Sequence, residues 1–250
     1  MEAEMEQGRV ALITGSSSGI GAAIARRLAD EGIRIVVNST RSEEAGRALA
    51  SELPEAVYVQ GDVADPDDAR RIVQSAVDAY GRLDILVNNA GTTRFIPLND
   101  LDTPDAAAWR EILDVNLIGA WQVTTAAVPH LRKAGSAAIV NISSVSATRA
   151  LGSSIPYAVS KAALNHMTRL LASQLGPEIR VNAVAPGLVD TPWYEGADEV
   201  WESSRDWITA NTPLHRVGTP EDVAGAVHYL VEARYTTGDV LTVDGGRHIV

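Results

Sequence analysis

Tyr157 and Lys161 stand four residues apart in Tyr-Ala-Val-Ser-Lys, a spacing that puts a phenol and an ammonium on one helical face. Such a pair could move protons. A free phenol has a pKa near ~10, whereas an acid/base group serving neutral pH does best near ~7. A nearby ammonium favours the phenolate and lowers that pKa. A surface Tyr/Lys pair would show the same spacing, so the neighbours matter. Ser144 lies 13 residues upstream and closes Ile139-Val140-Asn141-Ile142-Ser143-Ser144, which reads as a strand. Carboxyl ends of strands are where α/β sheets place ligands. A hydroxyl there could hold a carbonyl oxygen opposite the tyrosine. Asn116, in Asp-Val-Asn-Leu, is a polar residue within a helix, and alone it reads equally as a satisfied buried amide.

Thr14-Gly15-Ser16-Ser17-Ser18-Gly19-Ile20-Gly21 follows the first strand and opens the first helix. Glycine lets a ligand approach the main chain. A phosphate there would meet free amides and the positive end of a helix. Gly21 would let helix and strand pack closely. The spacing is G-x-x-x-G-x-G rather than the commoner G-x-G-x-x-G, and an ordinary glycine-rich turn is the alternative. Its place between strand and helix favours a dinucleotide. The second strand ends at Asn38-Ser39-Thr40-Arg41, with no acid before Glu43. An acid would bond the adenosine ribose, while an arginine accommodates a 2′-phosphate. Ser39, Thr40 and Arg41 therefore predict NADP(H) over NAD(H). Asp62 and Val63, past the third strand, could hold the adenine. Asn89, Ala90 and Gly91 are small enough to let a cofactor cross the sheet.

These residues need a frame. Short β-branched runs alternate with amphipathic stretches. Strands are expected at Arg9–Thr14, Ile33–Asn38, Ala56–Gln60, Leu83–Asn88, Ala137–Ile142, Arg180–Val184 and Val240–Val243. Helices are expected at Gly19–Glu31, Arg41–Leu53 and Asp65–Tyr80, with long ones near Ala106–Ala134 and Pro156–Leu175. Near-continuous apolar strands alternating with helices predict one doubly wound, Rossmann-like α/β domain over residues 1–250, with about seven parallel strands and helices on both faces. Gly187 to Pro220 is the one stretch read as irregular.

The composition fits a globular chain: 46% hydrophobic and 21% charged residues in 250. A net charge of −11 argues against nucleic acid and anionic membranes as partners. There is no cysteine, which excludes disulfides and thiolate sites and suits a reducing compartment. The first eight residues carry Glu2, Glu4 and Glu6 and do not read as a secretory signal. No apolar run approaches the ~18 residues a bilayer span needs, so a cytoplasmic protein is expected. The five histidines, His130, His166, His215, His228 and His248, are scattered without metal-ligand spacing, and no metal is expected.

Taken together, the chain resembles the short-chain dehydrogenase/reductase family in its compact branch. The matching motifs are Thr14–Gly21, Asp62–Val63, Asn88–Gly91, Asn116, Ser144, Tyr157–Lys161 and Pro186–Thr191 (Pro-Gly-Leu-Val-Asp-Thr), with Thr242–Gly246 at the end. The resemblance implies that Tyr157 protonates a carbonyl oxygen and Ser144 orients it. It implies that Lys161 binds the nicotinamide ribose and keeps the tyrosine acidic. Asn116 would hold a water linking Lys161 to solvent. Pro186, Gly187, the main chain near Val189, and Thr191 would face the nicotinamide. One departure is Ser18, where many NADP-dependent members carry a basic residue. Homotetramers or homodimers are the implied assemblies.

The substrate side is less legible. Trp193, Trp201 and Trp207 fall within fifteen positions, with Tyr194 among them, in a chain with one Phe. The resemblance makes residues 188–215 a lid. Trp193 and Tyr194 could cover an apolar substrate, or pack the lid onto the body or a neighbouring subunit. The expected reaction is hydride transfer between nicotinamide and a ketone or secondary alcohol. The general layout is that of carrier-protein 3-oxoacyl reductases, though Arg132-Lys133 is the only candidate basic patch. An NAD-dependent alcohol dehydrogenase and a non-catalytic dinucleotide sensor are the alternatives. An epimerase would need a further domain, and a methyltransferase leaves Tyr157 and Lys161 unexplained.

Overall fold

The computed structural model describes residues 8–250; the acidic cluster Glu2, Glu4 and Glu6 lies outside them. All of β1 (Val10–Ile13) is buried, and its side chains alternate between two cores. Ala11 and Ile13 join one apolar cluster, Val10 and Leu12 the other. Ile35 and Val37 against Val36, in β2 (Arg34–Ser39), repeat the pattern. A strand covered on both faces needs no polar alternate, which is why these segments read as unbroken apolar runs.

The remaining strands are β3 (Ala56–Gln60), β4 (Ile85–Asn88), β5 (Ala137–Ile142), β6 (Ile179–Pro186) and β7 (Val240–Val243). All seven pair in parallel, in the order β3-β2-β1-β4-β5-β6-β7. Winding runs outward from β1 to β3, then restarts on β1's other side with β4. That reversal opens a crevice at the carboxyl ends of β1 and β4. One face carries α1 (Gly19–Asp30), α2 (Glu43–Glu52) and α8 (Pro220–Glu232); the other carries α3 (Pro66–Tyr80), α5 (Ala120–Lys133) and α6 (Ile155–Leu175).

Three segments depart from expectation. The long helix near 106–134 is interrupted: α4 (Ala106–Leu113) passes through a π-helical turn, Asp114–Gly119, before α5. The extra residue turns Asn116 into the interior and seats Gly119 against Val63. A Cβ on Gly119 would lie 2.7 Å from Val63 Cγ2. The stretch read as irregular contains a 3₁₀ turn at Pro192–Tyr194 and a helix, α7 (Asp198–Asn211), of which Ile208 alone is buried. Finally, α8 follows it, started by Pro220 and by a reciprocal cap in which Thr219 and Asp222 satisfy each other's amides.

Candidate active site

Two strand ends are laced together at the crevice. Thr14 Oγ1 accepts from the amides of Asn89 and Ala90, at 3.1 Å each. Asn89 Nδ2 donates back to the carbonyls of Thr14 (2.9 Å) and Gly15 (2.8 Å). Gly15 has φ +60, and a Cβ there would stand 2.8 Å from Ala90 Cα. Its amide donates to Asn38 Oδ1. Ser18 occupies the N-cap of α1 without making a side-chain cap, and no acid lies in the first turn. The leading amides of α1 are thus free of a competing side chain or negative charge. This donor set, the glycine-lined approach and the helix dipole fit a dinucleotide's pyrophosphate.

Beyond β2, Arg41 is exposed and, among the described residues, has no hydrogen-bond or ion-pair partner. Ser39 shares a hydrogen bond with Tyr58, and Thr40 Oγ1 donates to the Gly61 carbonyl. Asp62 Oδ1 accepts from the Ala64 amide.

At the opposite end, Ser154 caps α6 by accepting from the Tyr157 amide (3.4 Å), with Pro156 in the first turn. The helix turns Tyr157 and Lys161 toward the end of β5. Lys161 is 4% exposed; its Nζ donates to the Ile142 carbonyl (2.9 Å) and lies 5.7 Å from the Tyr157 ring centroid. Burial pushes the Tyr157 phenol up to about 12, opposed by a hydrogen bond with Ser144. Burial also brings the Lys161 ammonium down to about 8. The expected lowering of the phenol by the ammonium is therefore not what the protein alone provides. Desolvation is the largest cause of both shifts.

Asn116 is buried behind this cluster. Its Nδ2 donates to the Thr92 carbonyl (3.0 Å) and Ser160 Oγ (3.0 Å), and its Oδ1 accepts from the Thr92 amide (2.7 Å). It does not line the cleft. Its Oδ1 and Lys161 Nζ both flank Gly91, within 3.4 and 3.6 Å of where a Cβ would be.

One cleft of about 480 Å³ joins these parts. Gly15, Ser17, Ser18, Gly19, Ile20, Gly21, Ser39, Thr40, Arg41, Asp62, Val63, Asn89, Ala90, Gly91, Pro186, Gly187, Val189 and Thr191 line it together with Ser144, Tyr157 and Lys161. Trp193 and Tyr194 close the end of the cleft that holds Ser144, Tyr157 and Lys161, Trp193 facing Tyr157 with ring centroids 6.0 Å apart. Tyr194 packs between Phe95 (5.5 Å) and Trp201 (5.2 Å). No cluster that could hold a metal ion occurs among the described residues.

The family model described as Enoyl-(Acyl carrier protein) reductase matches residues 15–248. A Streptomyces violaceoruber protein named for a ketoacyl reductase role in the granaticin polyketide synthase is 54% identical over the full length of both chains. This chain belongs to the short-chain dehydrogenase/reductase family. The 3-oxoacyl-[acyl-carrier-protein] reductase of Thermotoga maritima is 39% identical over 96% of this chain and 98% of that one. Among solved structures, the ligand-free aldohexose dehydrogenase of Thermoplasma acidophilum superposes with a TM-score of 0.87 at 33% identity, covering 98% and 95% of the two chains. As a short-chain dehydrogenase/reductase the protein is an oxidoreductase. No helix of the described residues is long and apolar enough to cross a membrane.

Sequence reasoning missed several lining residues. Glu111 and Val115 reach the cleft because the helix before and through the π turn passes over it. Ser146, Val200, Ser204 and Arg247 line a side chamber that depends on how residues far apart in sequence meet. The Thr219-Pro-Glu-Asp capping signal could have revealed α8, whereas α7 follows a Trp-, Pro- and Gly-rich stretch that hides its periodicity.

Proposed function

We propose that this short-chain dehydrogenase/reductase is an NADP(H)-dependent enzyme that interconverts ketones and secondary alcohols, with Tyr157 as the general acid and base. The observation that carries the reading is the convergence of Ser144, Tyr157 and Lys161 at one end of a cleft whose other end is the glycine cradle. The bound nicotinamide supplies or accepts the hydride. The chain's own residues do the rest. At neutral pH the Tyr157 phenol is held protonated and neutral, with its proton available for donation to a carbonyl oxygen. Ser144 Oγ stabilises that oxygen as negative charge develops on it. The Lys161 ammonium donates to the ribose and stabilises the phenolate left after the transfer. Asn116 fixes the Thr92 loop and Ser160, the wall behind Lys161. Residues 188–215, with Trp193 and Tyr194, form the lid that excludes water. Ile118, Trp121, Val159 and Leu170 expose apolar side chains along the π turn, α5 and α6, which suits the expected homodimer or homotetramer.

Arg41, without an ion pair among the described residues, and the acid-free end of β2 support the 2′-phosphate. NADPH is expected to bind at least about 10-fold tighter than NADH, the scale of one charge-assisted contact. Titration of both nucleotides checks this, alongside a ketone panel; tighter NADH would reverse the cofactor assignment.

Lys161 gives a pH signature. Only the protonated amine donates three hydrogens, and its pKa in the free protein is about 8. Consequently kcat/KM for NADPH, which reports the free enzyme, should fall above pH about 8. Lys161→Gln should be slow and lack that inflection. A wild-type profile with no break between pH ~7 and ~9 would contradict the assignment. The same depression means that stability rises with pH from about 8 towards the unfolded value of 10.5, because the unfolded chain holds the proton more tightly.

A further inference from the structure

A side chamber of about 130 Å³ opens off the catalytic end of the cleft and shares Ser144, Tyr157, Trp193 and Tyr194 with it. Arg247 lines this chamber. Its Nε is buried with no hydrogen-bond partner, and among the described residues its guanidinium forms no ion pair. The group lies over the Trp207 ring, 5.4 Å from the centroid. Asp244, which acts on it electrostatically, is committed elsewhere: it accepts from the amides of Gly246 (2.9 Å) and His248 (2.7 Å) and bonds His248 Nδ1 (2.9 Å). Ser146 lines the same chamber, 5% exposed, and its Oγ also has no partner.

Arg247 is held in place. Gly245 and Gly246 take φ +65 and +86 to form the turn before it, and a Cβ on Gly246 would lie 2.6 Å from Pro213 Cγ. Arg149 grips the segment after it, donating to the main-chain oxygens of His248 (2.5 Å) and Val250 (2.6 Å). A half-buried guanidinium with no ion pair among the described residues, in a chamber that an unpartnered hydroxyl also lines, is a costly arrangement unless a ligand completes it.

We propose that Arg247 and Ser146 bind an anionic oxygen of the substrate, in the simplest case a carboxylate, so that the enzyme selects ketones carrying an acid group away from the carbonyl. The inference rests on the ketone-reduction reading and adds the substrate class. Its test uses methyl ketones ending in a carboxylate, with two to five intervening methylenes, each paired with its methyl ester. At the best length the acid should exceed its ester in kcat/KM by about 10- to 100-fold, the range for a hydrogen bond to a charged group. That ratio should collapse in Arg247→Met, chiefly through KM for the acid, and recover in part in Arg247→Lys. Binding of hexanoate to the NADP-loaded protein, followed by calorimetry, should weaken at least about 10-fold in Arg247→Met. Arg247-dependent hexanoate binding without turnover of any ketone would overturn the reduction reading and leave the anion site standing. Esters matching acids at every length, with hexanoate binding unchanged in Arg247→Met, would overturn the anion site.

Discussion

Tyr157→Phe is expected to lower ketone reduction by about 10³-fold or more while NADPH still binds, since a positioned acid contributes about 10²- to 10⁴-fold. Removing the hydroxyl leaves the ring, its approach to Trp193 and the helix carrying it intact. What is lost is the proton. No other proton donor with the same place and protonation stands ready: the Ser144 hydroxyl is a far weaker acid, and Lys161 is turned to the Ile142 carbonyl. Steady-state turnover on any accepted ketone, with NADPH binding followed by fluorescence, checks this. Near-wild-type turnover would remove Tyr157 from the mechanism.

Gly21→Ala should unfold the protein earlier and weaken NADPH binding together. Helix propensity alone predicts the reverse, because alanine is favoured over glycine by about 1 kcal/mol inside a helix. Packing decides the sign. The added Cβ would stand 2.5 Å from the Gly15 carbonyl oxygen, 2.6 Å from Asn89 Nδ2 and 2.7 Å from Ser16 Cα. Two of the three neighbours are main chain, and Asn89 is tied to the turn after β1 by two hydrogen bonds, so none yields cheaply. Overpacking of this kind costs about 1–3 kcal/mol, which for a domain of this size lowers Tm by about 2–12 °C. The displaced turn is also the proposed phosphate cradle, so Kd for NADPH should rise at least about 10-fold. Thermal unfolding with and without NADPH measures both effects. A raised Tm would show that the helix term governs and that the turn tolerates a methyl.

Much of this site is legible in the sequence because its residues sit at strand ends. Gly15 after β1, Arg41 after β2, Asp62 after β3, Asn89 after β4 and Ser144 after β5 share one edge of the sheet once all strands are parallel. Parallel pairing follows from the apolar runs alone. The Tyr157–Lys161 spacing then needs a helix, and Ser154 and Pro156 start it where required. The electrostatics were not legible. Spacing shows that an ammonium neighbours a phenol, but not how far folding desolvates each, and burial reverses the expected shift of Tyr157. The π turn at Asp114–Gly119 also escapes a period-based reading, since one extra residue per turn leaves no signature beyond Asn116 itself. The side chamber with Arg247 escapes for another reason: its walls come from residues more than a hundred positions apart.

Transfer of label from NADPH deuterated at the reactive nicotinamide carbon tests the central claim most directly. With a ketone from the panel, the wild-type enzyme should place one deuterium on the carbinol carbon for each NADPH consumed, and Tyr157→Phe should bind the nucleotide yet form almost no labelled alcohol. Nucleotide binding by the wild type with no labelled alcohol from any ketone, or labelled alcohol from Tyr157→Phe at the wild-type rate, would contradict the account.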